Sequence, residues 1–177
     1  ESRREAGVIP PVPDQSLEIL RTPRLILTRI QDAHVPALVE LWTDPDVTRF
    51  MGGPRERDFL AADLEKTALA PFAEKHDLGA LLEKESGRVI GHCGLLDKEV
   101  VGTLEIELVY VLAAAAWGKG YAAEIAAALK EYAFQALGLK RLISLIEPDN
   151  RSSERVAVKT GMRLERQVIR PGGAVRL

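Results

Sequence analysis

The sequence predicts a mixed α/β (α+β) domain in which helices flank a mostly antiparallel sheet. Three observations carry that reading. Leu104–Leu112, LEIELVYVL, has the clearest strand pattern in the chain, and Tyr121–Leu137 the clearest helix pattern. The strand-like segments between Leu78 and Leu112 follow one another across short turn signals, as hairpins do. With 177 residues, 46% hydrophobic and 28% charged, the chain can bury one core of its own, which excludes wholesale disorder, a collagen repeat and a coiled coil.

Each element has a local reason. Residues 1–16 read as a flexible arm, because Pro10, Pro11 and Pro13 restrict the backbone and remove donors. The domain is expected over 17–177. A first strand starts near Arg24, where Leu25 and Leu27 alternate with Ile26 and Thr28. Asp32 sits as an N-cap before Val35, Leu38, Val39 and Trp42 at helical spacing. Asp44-Pro45 ends that helix, since the residue before proline is pushed out of the α region. Met51-Gly52-Gly53-Pro54 is a loop, and 58–70 a weaker helix. Residues 78–85 and 88–96 form a hairpin around Ser86-Gly87. The helix over 121–137 keeps Ala122, Ile125, Ala126, Leu129, Ala133, Ala136 and Leu137 on one face, with Gly138 as its C′ residue. Residues 142–146 form a short buried strand. Asn150 caps a helix from about Ser152 to Thr160, ended by Gly161. Residues 163–170 and 174–177 form a last hairpin.

Several functions are disfavoured by composition. The net charge of −2 gives no electrostatic reason to expect nucleic acid as the main partner. The single cysteine, Cys93, leaves no disulfide framework and no cysteine zinc cluster. His34, His76 and His92 lack metal-ligand spacing, so no metal is expected. His92 and Cys93 are neighbours on a strand and point to opposite faces, which argues against a Cys/His dyad. No apolar run approaches the ~18–20 residues of a membrane span, and the first residues lack the apolar region of a secretory signal. A cytoplasmic location without a membrane partner is expected.

The segment Trp117-Gly118-Lys119-Gly120-Tyr121-Ala122 follows the strongest strand and opens the strongest helix. Its two glycines permit a tight turn and close approach of an anion. The first N–H groups of a helix have no intrahelical partner, and the helix dipole adds partial positive charge. The pattern suits a phosphate or pyrophosphate, with Lys119 as a nearby cation. A P-loop does not fit, because Lys119 is followed by Gly120 where Ser or Thr would hold magnesium. A dinucleotide fingerprint fits poorly, because its third glycine falls on Ala123 and the strands before it are hairpin-like. A tight strand-to-helix turn without a ligand is the remaining alternative.

Trp117–Ala122 resembles the acyl-CoA pyrophosphate loop of the GNAT N-acetyltransferase superfamily, in the form favoured by its ribosomal-protein N-acetyltransferase branch. Other segments resemble that branch in matching order. They are Thr22-Pro23-Arg24-Leu25, Asp44-Pro45-Asp46-Val47, Gly91-His92-Cys93-Gly94-Leu95, and Asn150 with Ser153 and Gly161-Met162. The likeness runs from about Leu20 to Leu177. It departs at Ala115, where the superfamily often carries Gln or Arg, and at Ala114, where the branch often carries proline. The superfamily's late-helix tyrosine acid falls on Ala157, so no tyrosine acid is expected there.

The resemblance implies a single GNAT-like domain with splayed central strands, acetyl-CoA as co-substrate, and direct transfer of acetyl to a primary amine. It implies an oxyanion-binding N–H from Tyr110, Val111 or Leu112, an edge that pairs with the pantetheine arm, and pyrophosphate binding by Trp117, Gly118, Lys119, Gly120, Tyr121 and Ala122. Asn150 is expected to bond the pantetheine amide and Ser153 the departing thiolate. Glu107, ten residues before Trp117 where this branch carries a strand Glu, is the candidate base. Glu105 shares its strand face. Phe50 and Met51 are expected to line the acceptor pocket, and Lys119, Arg151 and Arg155 to neutralise phosphates. The expected acceptor is a protein N-terminal α-amine. A small amine (amino acid, polyamine or aminoglycoside) and a non-catalytic acyl-CoA-binding module are the alternatives. The protein is expected to be a monomer or homodimer.

Overall fold

The computed structural model describes residues 17–170 and 173–176; the arm expected over 1–16 lies outside the described residues. The elements in order are β1 (Glu18–Arg21), β2 (Leu25–Thr28), α1 (Val35–Thr43), α2 (Arg57–Leu69), β3 (Leu78–Glu83), β4 (Val89–Val100), β5 (Thr103–Leu112), α3 (Tyr121–Glu131), α4 (Arg151–Lys159), β6 (Gln167–Arg170) and β7 (Gly173–Arg176). Strands β1 to β5 form one sheet in sequence order, antiparallel throughout. Strands β6 and β7 pair as a separate hairpin.

The sheet is covered on both faces. On one, Leu25, Leu27, Leu81, Cys93, Leu95, Leu108 and Leu112 pack against Ile125, Ala126 and Leu129 of α3. On the other, Ala80, Val109 and Val111 pack against Leu38, Val39, Leu41 and Trp42 of α1 and Leu64 of α2. Alternation along β5 therefore sends even-numbered side chains to α3 and odd-numbered ones to α1. Ile125 and Leu129 are essentially fully buried; each stabilises the fold by roughly 1.5–3 kcal/mol.

Several boundaries differ from the sequence reading. β1 was not expected; four residues carry too short an alternation to stand out. Asp32 is not an N-cap but opens a 3-10 turn, Asp32–His34, and α1 follows from Val35. The long helix is α-helical only to Glu131, and its end widens into a π turn, Tyr132–Ala136, closed by Leu137 N–H donating to Tyr132 O at 3.1 Å. Residues 142–146 do not form a full strand. The segment carries isolated bridges only, at Ile143, which pairs in parallel with Glu107, and at Ile146. β4 runs to Val100, four residues past the expected end, and turns through Val101-Gly102 into β5.

Candidate active site

The separation of the 142–146 segment from β5 creates the site. Ile106 O and Leu108 N–H bond Ile143. Ser144 Oγ then donates to Leu108 O at 2.8 Å, and Trp117 Nε1 donates to Leu112 O at 2.9 Å. Strand alternation puts the N–H and C=O of Tyr110 between those two carbonyls on the same edge. Beside this edge opens a cleft of about 1070 Å³. Its size exceeds that of ordinary small-ligand pockets, which run to about 1,000 Å³.

The 117–122 segment forms one wall. Gly118 and Gly120 have φ of +74° and +81°, the left-handed backbone that glycine alone adopts freely. Glu124 N–H is the first to bond within the helix, to Gly120 O at 3.1 Å. The N–H groups of Tyr121, Ala122 and Ala123 are therefore the orphan donors of the helix start. Gly118, Gly120, Tyr121, Ala122 and Ala123 all line the cleft. Ala114–Ala116 forms a 3-10 turn whose Ala116 enters the core, while Ala114 and Ala115 are exposed.

α4 supplies the opposite wall. Asn150 caps it, with Oδ1 accepting Ser153 N–H at 3.2 Å. Tyr110 Oη donates to Ser153 O at 3.0 Å, tying β5 to this cap. Burial pushes the Tyr110 phenol up to about 12, so it stays protonated. Ala157 is buried in α4, with no hydroxyl in place of the superfamily's acid. At the mouth, Arg49, Arg151, Arg155 and Lys159 outnumber Asp46 and Glu154, giving an anion-attracting rim.

Most residues singled out in the sequence meet here. Tyr110, Val111, Leu112, Trp117, Gly118, Gly120, Tyr121, Ala122, Asn150 and Ser153 line the cleft, as do Phe50 and Met51 at its far end. Lys119 is not among the lining residues; its ammonium lies 6.0 Å from the Tyr121 ring centre. Glu107 also stands off the wall. Its carboxylate is on the α1 side of β5, where Oε1 accepts Leu145 N–H at 3.3 Å and Oε2 lies 4.0 Å from Lys98 Nζ. It therefore marks the point where β5 and the 142–146 segment part. Glu105 is held by Arg141 at 3.0 Å, and neither residue lines the cleft.

His92 and Cys93 point to opposite faces, as expected. Trp42 Nε1 donates to His92 Nδ1 at 2.9 Å on the α1 side, while Cys93 packs with the α3 side. Burial pushes His92 down to about 4 and the Cys93 thiol up to about 12, so imidazole and thiol are both neutral near pH 7. Sequence reasoning missed Thr22, Arg24 and Glu124 as parts of this region. They lie about 100 residues apart in the chain, and nothing local pairs them.

A family model described as the acetyltransferase (GNAT) domain matches residues 24–163. The chain is 31% identical over 145 residues to the uncharacterized N-acetyltransferase p20 of Bacillus licheniformis, covering 77% of this chain and 78% of that one. The crystal structure of an acetyltransferase from Agrobacterium tumefaciens is similar, with TM-score 0.75 and 27% identity over 99% of this chain and 97% of that one. Spermidine N-acetyltransferase of Vibrio cholerae, solved with CoA and spermine, shares the fold, with TM-score 0.72 and 15% identity over 88% of this chain and 94% of that one. The chain belongs to the GNAT family and is an acetyltransferase. Its donor is acetyl-CoA and its acceptor atom a nitrogen. Among the described residues no cluster of His, Cys, Asp or Glu is arranged to hold a metal ion, and no helix is long and apolar enough to cross a membrane.

Proposed function

We propose that the protein transfers the acetyl group of acetyl-CoA to a protein N-terminal α-amine by direct attack within a ternary complex. The observation that carries the donor half is the set of orphan amides of Tyr121, Ala122 and Ala123, which line the same cleft as the unpaired edge at Tyr110. The amides receive the pyrophosphate, and the Tyr110 edge pairs with the pantetheine arm as an added strand would. Asn150 bonds an amide of that arm, and Arg151 and Arg155 lie where phosphate charge needs compensation.

In the reaction, the amine lone pair forms an N–C bond to the thioester carbonyl. Tyr110 N–H holds the oxyanion, a donor of the kind worth ~2.7–4 kcal/mol. As the C–S bond breaks, the Ser153 hydroxyl donates to the departing thiolate. The proton lost by the amine passes through water to Glu107.

The α-amine acceptor is supported by the chemistry of that base. Glu107 acts from behind the cleft wall, which suits an amine already partly neutral. An α-amine with a pKa of about 7.7–8.0 is roughly 10–20% neutral at pH 7, whereas a lysine at about 10.4 is neutral in well under 0.1%. Val47, Phe50 and Met51 give the far end an apolar lining for the acceptor's first side chain.

The test is incubation with acetyl-CoA and a panel of free-N-terminus peptides, N-blocked lysine peptides and small amines, read by mass. Peptides gaining one acetyl at the N-terminus support the reading. Acetylation of small amines alone overturns the acceptor, and CoA binding without any product overturns catalysis.

A further inference from the structure

We propose that Arg24 is a positioning residue that aims the 118–121 amides at the donor before the donor binds, an inference that rests on the pyrophosphate site proposed above. Arg24 immediately precedes β2 and reaches to the 117–122 loop. Its Nη1 donates to Lys119 O at 2.8 Å. Its Nε donates to Glu124 Oε2 at 2.7 Å, and its guanidinium carbon lies 4.5 Å from the Tyr121 ring centre. Glu124 is pinned in turn, with Oε1 accepting Thr22 Oγ1 at 2.6 Å and Arg24 N–H at 3.0 Å. Tyr121 is fixed from the other side by Oη donating to Glu83 at 2.5 Å.

The peptide plane converts this brace into function. In a trans peptide the C=O of one residue and the N–H of the next point in opposite directions. Lys119 O is drawn back onto Arg24, so Gly120 N–H is directed away from the guanidinium, to the side where Gly118, Gly120 and Ala122 line the cleft. A loop with two left-handed glycines otherwise has many peptide orientations, and ordering them opposes binding. Fixing them beforehand removes that opposition. A lone surface ion pair contributes little to stability. Arg24 differs in using its planar fork on two acceptors while stacking on the residue that opens α3, a geometry lysine does not reproduce.

The experiment compares acetyl-CoA with acetyl-pantetheine, which lacks the pyrophosphate, in wild type, Arg24→Ala and Arg24→Lys. Arg24→Ala should raise the KM for acetyl-CoA at least ~10-fold, about 1.4 kcal/mol. Its kcat/KM for acetyl-pantetheine and its amine KM should stay within about 2-fold of wild type. Arg24→Lys, which keeps the charge and gives a folded control should the alanine variant unfold, should show the same selective loss in smaller degree. Equal losses with both donors in the lysine variant, or no loss with either, overturn the inference. Wild type that ignores CoA in calorimetry overturns the proposed site as well, so the two failures are distinct.

Discussion

The walls of the cleft that we propose for donor and acceptor are made from different parts of the polypeptide. The donor wall is main chain: orphan amides at the start of α3, the Tyr110 edge and the cap of α4. Beside it stand polar side chains, Thr22, Arg24, Glu83 and Glu124, bonded into a network. The proposed acceptor wall is side chain: Val47, Phe50 and Met51 beyond α1. A backbone site requires only a turn and a helix start, so it recognises a fixed donor in any chain that folds this way. A side-chain site changes with each residue, so on the proposed reading acceptor choice resides there.

The largest test of this division is Gly120→Val. A valine at φ +81° is strained, and its Cβ would lie 3.4 Å from Arg24 Nη2. CoA affinity should fall by more than about 100-fold, while Ile125 and Leu129 keep α3 docked. Unchanged affinity by calorimetry would remove the loop from the donor wall. Glu107→Gln should lower kcat on the order of 100-fold, the usual scale for losing a general base, with CoA affinity intact. A normal kcat would mean that another group takes the proton.

The core between β4 and α1, where Trp42 bonds buried His92, is titratable. The folded state holds His92 at about 4 against 6.5 for a free imidazole. Between those values the unfolded chain binds more protons, so stability rises with pH across the window and is lost on acidification. The slope should be about 1.4 kcal/mol per pH unit, measured by denaturant unfolding from pH 6.5 down to 4. His92→Gln, which keeps an acceptor for the indole, should lack it. The smallest effect is expected from Phe50→Ala. It should raise the amine KM about 5-fold, near 1 kcal/mol, and leave the acetyl-CoA KM unchanged. A change in the donor KM instead would blur the two walls.

Legibility in the sequence follows the same division. The α3 start, its glycines and the Asn150 cap obey local rules, and the structure has them in those roles. β5 and the two flanking helices followed from apolar period alone. The 142–146 segment misled because its apolar run resembles a strand. Ser144 Oγ takes the carbonyl that the next ladder bond would need, and Glu107 takes Leu145 N–H, so the ladder begun at Ile143 is interrupted. Asp32 reads as a cap by residue type, yet Gln31 precedes the 3-10 turn and His34 closes back on it.

The sequence by itself determined most of the elements, the mixed α/β class with its antiparallel sheet, the glycine-led start of α3 and the family. Each depends on residues within one or two turns of one another, where period, capping and backbone freedom are local properties. Only the tertiary structure decided that Arg24 and Glu124 brace the loop, that Lys119 leaves the cleft lining for the Tyr121 ring, and that Glu107 stands off the wall where β5 parts from its neighbour. Those outcomes depend on which side chains meet across the sheet, and neither spacing nor residue type specifies a contact between segments a hundred residues apart.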